Sequence, residues 1–281
     1  MQNGNSNDCM TTFKESLLIL LFEFLGTLLL TALFVSCWSA RDGAGLLCGF
    51  FILLIFSARI SGSHFNPALT LAFMFRRDTG KFSRLLGLLY IAAQYAGAIL
   101  GALITYNLFE ADGVSIEVAG QTVAGIQPLS VGKNYKGNTL LVQAIFQEII
   151  GSMIITFLYL TQTEEKTKMS GDPAITTLII AATYTAVVSY SEGSLAQVMT
   201  GSPFNPAAAM GIMWGIIFKG NLDLTDHTWL FLIFSYVGSI LAVVLFEFIY
   251  KRAMNAVEEV EGDDDDDERA EHDALISPTS K

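Results

Sequence analysis

Apolar residues run through this chain in long stretches broken by short polar ones. Six stretches approach or exceed the roughly 20 apolar residues that a ~30 Å hydrocarbon core requires. They are 13–38, 43–60, 82–109, 139–161, 173–191 and 228–250. Two shorter apolar runs fall outside this set, one after Asn66 and one after Asn205. The first stops at Arg76-Arg77-Asp78, after roughly ten residues or about 15 Å of helical rise, which is half a span. Each short run follows a Gly-containing polar stretch. The two stretches are Ser61-Gly62-Ser63-His64-Phe65-Asn66-Pro67-Ala68 and Thr200-Gly201-Ser202-Pro203-Phe204-Asn205-Pro206-Ala207. An Asn side-chain oxygen can accept from an unpaired N–H at a helix start. Pro suits the first helical position, where no N–H is needed. The pattern therefore predicts two capped helices of half length.

The order span, span, half-span, span occurs twice, and the repeat is visible in residues. Phe22-Glu23-Phe24-Leu25-Gly26-Thr27 parallels Gln147-Glu148-Ile149-Ile150-Gly151-Ser152, and Tyr95-Ala96-Gly97-Ala98-Ile99-Leu100 parallels Tyr236-Val237-Gly238-Ser239-Ile240-Leu241. Three full spans per half is an odd number, so the second half enters from the opposite side as an inverted repeat. The expected fold is an all-α membrane protein of six transmembrane helices and two half-spanning re-entrant helices, meeting near the midplane. Residues 1–12 read as an N-terminal tail and 13–250 as one domain. Its halves, 13–109 and 139–250, are joined by the loop 110–138, and 251–281 reads as an acidic, disordered tail.

Composition agrees. The chain of 281 residues is 52% hydrophobic and 15% charged, against about 25% charged in soluble domains. Of its net charge of −11, the tail 251–281 supplies −7, from 11 acidic and four basic residues. Nothing resembles a nucleic-acid surface. Cys9, Cys37 and Cys48 make no disulfide framework, and the N-terminus lacks the basic start of a secretory signal. With both termini inside, 12 Lys and Arg residues fall on the inner side and four on the outer, as the positive-inside rule requires. The expected location is an integral membrane protein with cytoplasmic termini. No metal-spaced cluster and no nucleophile–base pair is present, so neither enzyme chemistry nor a cofactor is expected.

The two Asn-Pro-Ala triplets, Asn66-Pro67-Ala68 and Asn205-Pro206-Ala207, at matching places in two half-chains resemble those of the aquaporin (major intrinsic protein) family. The resemblance covers about 13–250. It implies a passive channel for water and small neutral solutes, assembled as a homotetramer in the lipid bilayer. It implies that Glu23 and Glu148 accept hydrogen bonds from the loops leading into the half-helices. His64 is then a hydrogen-bonded loop residue, and small-residue faces such as Gly97 and Gly101 pack the two halves together. The backbone of Gly62, Ser63, His64 and Phe65, and of Gly201, Ser202, Pro203 and Phe204, becomes a ladder of acceptors lining the pore. The Asn amides become donors at its centre, between two helix ends whose dipoles repel cations.

The chain departs from the family where the outer filter would lie. Ala208 stands where an Arg usually follows the second triplet. Counting from the motifs, the other filter positions fall on Leu46, Gly193 and Ser202, with Cys48 the alternative to Leu46. Gly193 resembles glycerol facilitators; Ala209, where those have Asp, does not. A constriction of these residues is wide and uncharged, so glycerol, urea, ammonia or hydrogen peroxide join water as expected solutes. A secondary transporter also uses inverted repeats, but needs ionisable groups at the midplane beside the two Asn. A junctional scaffold of low permeability is the other alternative.

Overall fold

The structure, a computed structural model, describes residues 6–40, 42–77, 82–111, 115–118, 121–124, 129, 131, 140–192, 200–218, 220 and 225–257. Gly193, most of the outer loop and the tail beyond Val257 lie outside the described residues.

The first half contains α1 (Ser6–Ala40), α2 (Gly43–Ser57), α3 (Pro67–Phe75) and α4 (Arg84–Ala111). The second contains α5 (Leu141–Thr163), α6 (Pro173–Glu192), α7 (Pro206–Phe218) and α8 (Thr228–Leu245). A single π-helical turn, Phe246–Tyr250, follows α8, and helix resumes to Val257. Helix therefore begins inside the predicted N-terminal tail and reaches seven residues into the predicted acidic one. Between the halves, β1 (Ser115–Val118) pairs antiparallel with β2 (Gln121–Ala124), a small hairpin in the predicted outer loop.

Among the described residues, five helices are long and apolar enough to cross a membrane. The sixth span, α2, is shorter than expected. It ends at Ser57, because the chain turns there toward the first half-helix: Ile60 N–H and Ser61 N–H both donate to the Ser57 carbonyl. Local chemistry sets several helix starts. Asp42 accepts from Gly45 N–H ahead of α2, and Asp172 accepts from Ala174 N–H ahead of α6, with Pro173 in first position.

The packing repeats with the sequence. α1 lies on α4 as α5 lies on α8; α3 touches α8 as α7 touches α4; α2 meets α6. Tyr95 and Tyr236, equivalent in the repeat, share a hydrogen bond of 2.9 Å between their hydroxyls. The Gly97–Gly101 face does not join the halves as expected. A Cβ on Gly97 would lie 2.2 Å from the Phe24 carbonyl oxygen, and one on Gly101 2.3 Å from that of Leu28, so this face seats α1 of the same half. Gly238 does the same for α5. The close approach between halves is Gly211 on α7 against the Ala98 backbone of α4.

At one end of the bundle α3, α5 and the last helix are tied by charge. Arg76 meets Glu164 and lies 3.6 Å from Glu247, while Lys251 is 2.9 Å from Glu164 and 3.2 Å from Glu247. The Arg76 guanidinium also rests over the Phe73 and Phe246 rings. This end is called the C-terminal face below.

Candidate functional site: two half-helices meeting tip to tip

α3 has nine residues, close to the half-span read from sequence, and α7 has 13. Asn66 caps α3: its Oδ1 accepts from Ala68 N–H at 2.9 Å. Asn205 caps α7, accepting from Ala207 N–H at 3.0 Å and Ala208 N–H at 3.4 Å. The amide nitrogens then cross between the halves. Asn66 Nδ2 donates to the Phe204 carbonyl at 3.0 Å, and Asn205 Nδ2 donates to the Phe65 carbonyl at 2.8 Å. Residues 138 and 140 positions apart in the chain are thus joined by a reciprocal pair of bonds. A carboxamide has two N–H donors, so each Asn keeps one beyond this crossing.

These bonds need carbonyls turned out of any regular structure. Phe65 and Phe204 both have φ of +47°, and Ser63 has +57°. Such conformations cost of order 1–3 kcal/mol each for a non-Gly residue, so the surroundings must hold them. The Phe65 and Phe204 rings are fully buried. Each fills the space that a glycine leaves on the first helix of its half: Phe65 against Gly26, Phe204 against Gly151. Three residues before each glycine, one turn away on the same helix face, stands the buried glutamate of that half.

Glu23 accepts four hydrogen bonds. Ser61 Oγ and His64 N–H reach Oε1 at 2.6 and 3.0 Å; Gln94 Nε2 and Phe65 N–H reach Oε2 at 2.7 and 2.9 Å. Glu148 accepts from two hydroxyls, those of Ser202 and Ser235. Pro203 accounts for one of the two missing bonds. It occupies the position of His64 and has no N–H to offer. The Ser202 hydroxyl takes over, binding Glu148 and accepting from Phe204 N–H at 3.0 Å. The hydroxyl of Ser202, a residue expected at the filter, is thus buried in this scaffold.

The other predicted residues divide. Pro67, Ala68, Pro206 and Ala207 form the buried first turns of α3 and α7. Ala208 is buried beside Asn205. Leu46 faces inward beside a small cavity shared with Phe34 and Val188, whereas Cys48 is exposed. His64 is a loop residue, with Nδ1 3.2 Å from Thr70 Oγ1 and its ring 4.3 Å from that of Phe73. The expected ladder is partly occupied: Tyr159 donates to the Gly62 carbonyl, Tyr184 to that of Pro203, and the two Asn to those of Phe65 and Phe204. Sequence reading missed Gln94 and Ser235, the outer supports of the glutamates. Both immediately precede the matched tyrosines Tyr95 and Tyr236, so extending that match by one residue would have found them.

The family model for the major intrinsic protein matches residues 14–246. The chain belongs to the major intrinsic protein family. Its relatives include the propanediol uptake facilitator of Salmonella typhimurium, 32% identical over 67% of this chain and 74% of that one. Aquaporin-B of Dictyostelium discoideum is 31% identical over 80% of this chain and 81% of its own. Among solved structures, the aquaglyceroporin from Plasmodium falciparum superposes with a TM-score of 0.67, covering 86% of this chain and 99% of that one at 18% identity. As a major intrinsic protein with five long apolar helices among its described residues, the chain is an integral membrane protein.

Proposed function

We propose that this protein is a passive transmembrane channel for water and small uncharged solutes such as glycerol, urea, ammonia or hydrogen peroxide. The observation that carries the reading is the reciprocal pair of bonds, Asn66 to Phe204 and Asn205 to Phe65. It brings the N-termini of two half-helices together, with a spare amide donor on each. Helix N-termini carry partial positive charge, which opposes cations and protons at the meeting point. A water there accepts from amide donors and is turned away from proton relay. The carbonyls of His64, Gly201 and Ser202, which accept no protein hydrogen bond among the described residues, are acceptors on either side. Non-helical backbone at membrane depth is tolerated where it lines a wet passage.

In this reading Leu46, Gly193 and Ala208 form the outer constriction, with the backbone of Ser202 beside them. No side chain of that set is charged, which suits a solute larger than water; relatives described as a propanediol facilitator and as an aquaporin bracket that range. The subunits form a homotetramer, each with its own pore, and both termini face the cytoplasm. No catalytic step is involved.

The test is permeability of reconstituted vesicles to water, glycerol and urea, for the native chain and for Ala208→Arg. The native chain should pass all three without saturation or ion dependence. The Arg should lower glycerol and urea flux about tenfold, the effect of a ~1.4 kcal/mol barrier, and lower water flux much less. An unchanged solute profile would remove Ala208 from the constriction.

A further inference from the structure

The two halves differ at the acceptors that precede each Asn. In the second half, the carbonyls of Gly201 and Ser202 accept no protein hydrogen bond among the described residues. In the first half, the equivalent carbonyls, Gly62 and Ser63, are both met by one hydroxyl. Tyr159 Oη donates to Gly62 and lies 3.4 Å from the Ser63 carbonyl. Tyr90 donates to the Ser61 carbonyl at 2.8 Å. Tyr159 stands 11 positions after Glu148, and its counterpart 11 positions after Glu23 is Phe34, which has no hydroxyl. Tyr159 is 4% exposed. Its ring packs edge-on against His64 at 6.1 Å and Phe73 at 5.8 Å. The His64 ring in turn touches Phe82 and Tyr90. An aromatic collar thus closes around the loop on the side toward the C-terminal face.

We propose that Tyr159 is a second selectivity-determining residue of the channel, set in the half that contains Asn66. The proposal rests on the channel reading above. A permeant descending from Asn66 passes the His64 carbonyl and then needs those of Ser63 and Gly62 as acceptors, and the Tyr159 hydroxyl already holds them. Passage then requires the hydroxyl to give way to a donor on the permeant, and the ring sets the size that follows. Water, which is small and a good donor, displaces the hydroxyl more readily than a polyol does. In this reading the channel has two unlike constrictions: an outer one of Leu46, Gly193 and Ala208, and an inner one built on tyrosine.

The experiment is stopped-flow permeability of vesicles at matched protein density, comparing the native chain with Tyr159→Phe and Tyr159→Val. Tyr159→Phe keeps the ring and its packing, so folding is preserved. It should raise water flux about three- to tenfold, the range that one net hydrogen bond supplies. Tyr159→Val, which also removes the ring, should raise glycerol flux more than water flux and so lower the water-to-glycerol ratio. If the native chain conducts and both variants match it or fall below it, Tyr159 is only a prop for the loop and the proposal is overturned. If native chain and variants alike show no flux above empty vesicles, the channel reading itself falls, and this proposal with it.

Discussion

Glu23→Gln should destabilise the folded protein severely, whereas Glu148→Gln should be nearly silent. The change is isosteric, so the outcome depends on what each carboxyl oxygen faces. At Glu23 both oxygens face a fixed backbone donor: His64 N–H on Oε1 and Phe65 N–H on Oε2. Whichever end of a Gln becomes NH₂, it meets an N–H that cannot turn away. One buried donor is then unpaired and two donors are opposed, at about 1–3 kcal/mol for each unmet group. At Glu148 both partners are hydroxyls, which rotate and can accept as readily as donate. Ser235 Oγ already lies 2.8 Å from the Phe231 carbonyl and can direct its proton there while accepting from the amide. The expected losses are ~2–4 kcal/mol at position 23 and under about 1 kcal/mol at position 148. A stable domain has only ~5–15 kcal/mol to lose. Thermal unfolding of the purified protein in detergent would measure both. Equal losses at the two sites would show that the backbone donors on Glu23 are not what holds the first loop.

The same contrast explains what could be read from the chain beforehand. The apolar runs locate the helices to within about three residues in the described segments, except at the start of α1 and the end of the last helix, which each run seven residues further, because hydrocarbon length is a one-dimensional constraint that composition satisfies directly. Asn66 and Asn205 were legible because capping is local: the Asn, the Pro after it and the apolar run are contiguous. What the linear pattern does not display is which faces meet. Gly97 and Gly101 are visible as a small-residue face, but only the packing reveals that α1 of the same half fills it. Ser202 was expected at the constriction because its place in the motif puts it there. The absence of an N–H on Pro203, one residue later, turns its hydroxyl toward Glu148 instead. That deduction was available from the sequence, since a proline replacing a donor residue always leaves an acceptor to be served by something else. Tyr159 was not legible, because its significance lies in a carbonyl 97 residues away. Gly193 lies outside the described residues, so its place beside Leu46 and Ala208 is an expectation for the permeability test of Ala208→Arg.

Gly26→Ala and Phe65→Ala should each be strongly destabilising alone, and together should cost clearly less than their sum. A Cβ on Gly26 would lie 1.9 Å from Phe65 Cε1, well inside contact distance. The ring has nowhere to go, because Phe65 is fully buried and its backbone is held at both ends. Its N–H is bound to Glu23 and its carbonyl to Asn205. Moving the ring aside therefore loosens the crossed pair of bonds between the half-helix tips, and the added methyl acts on the site as well as on the core. Phe65→Ala leaves the site's backbone free to stay but opens a cavity, at ~3–5 kcal/mol for a buried Phe. With both changes the new methyl occupies part of that cavity, so the clash disappears and the void shrinks. The coupling should amount to ~1–3 kcal/mol, the range seen for residues in direct contact. A double-mutant cycle on detergent unfolding, read beside water flux in vesicles, measures it. Strict additivity would mean that Gly26 is small for some reason other than the ring. The inverted repeat supplies an internal control, since Gly151 and Phe204 make the equivalent contact at 2.3 Å. There the Phe204 N–H is held by the Ser202 hydroxyl rather than directly by a carboxyl. That hydroxyl can shift, so the second half should tolerate Gly151→Ala better than the first tolerates Gly26→Ala.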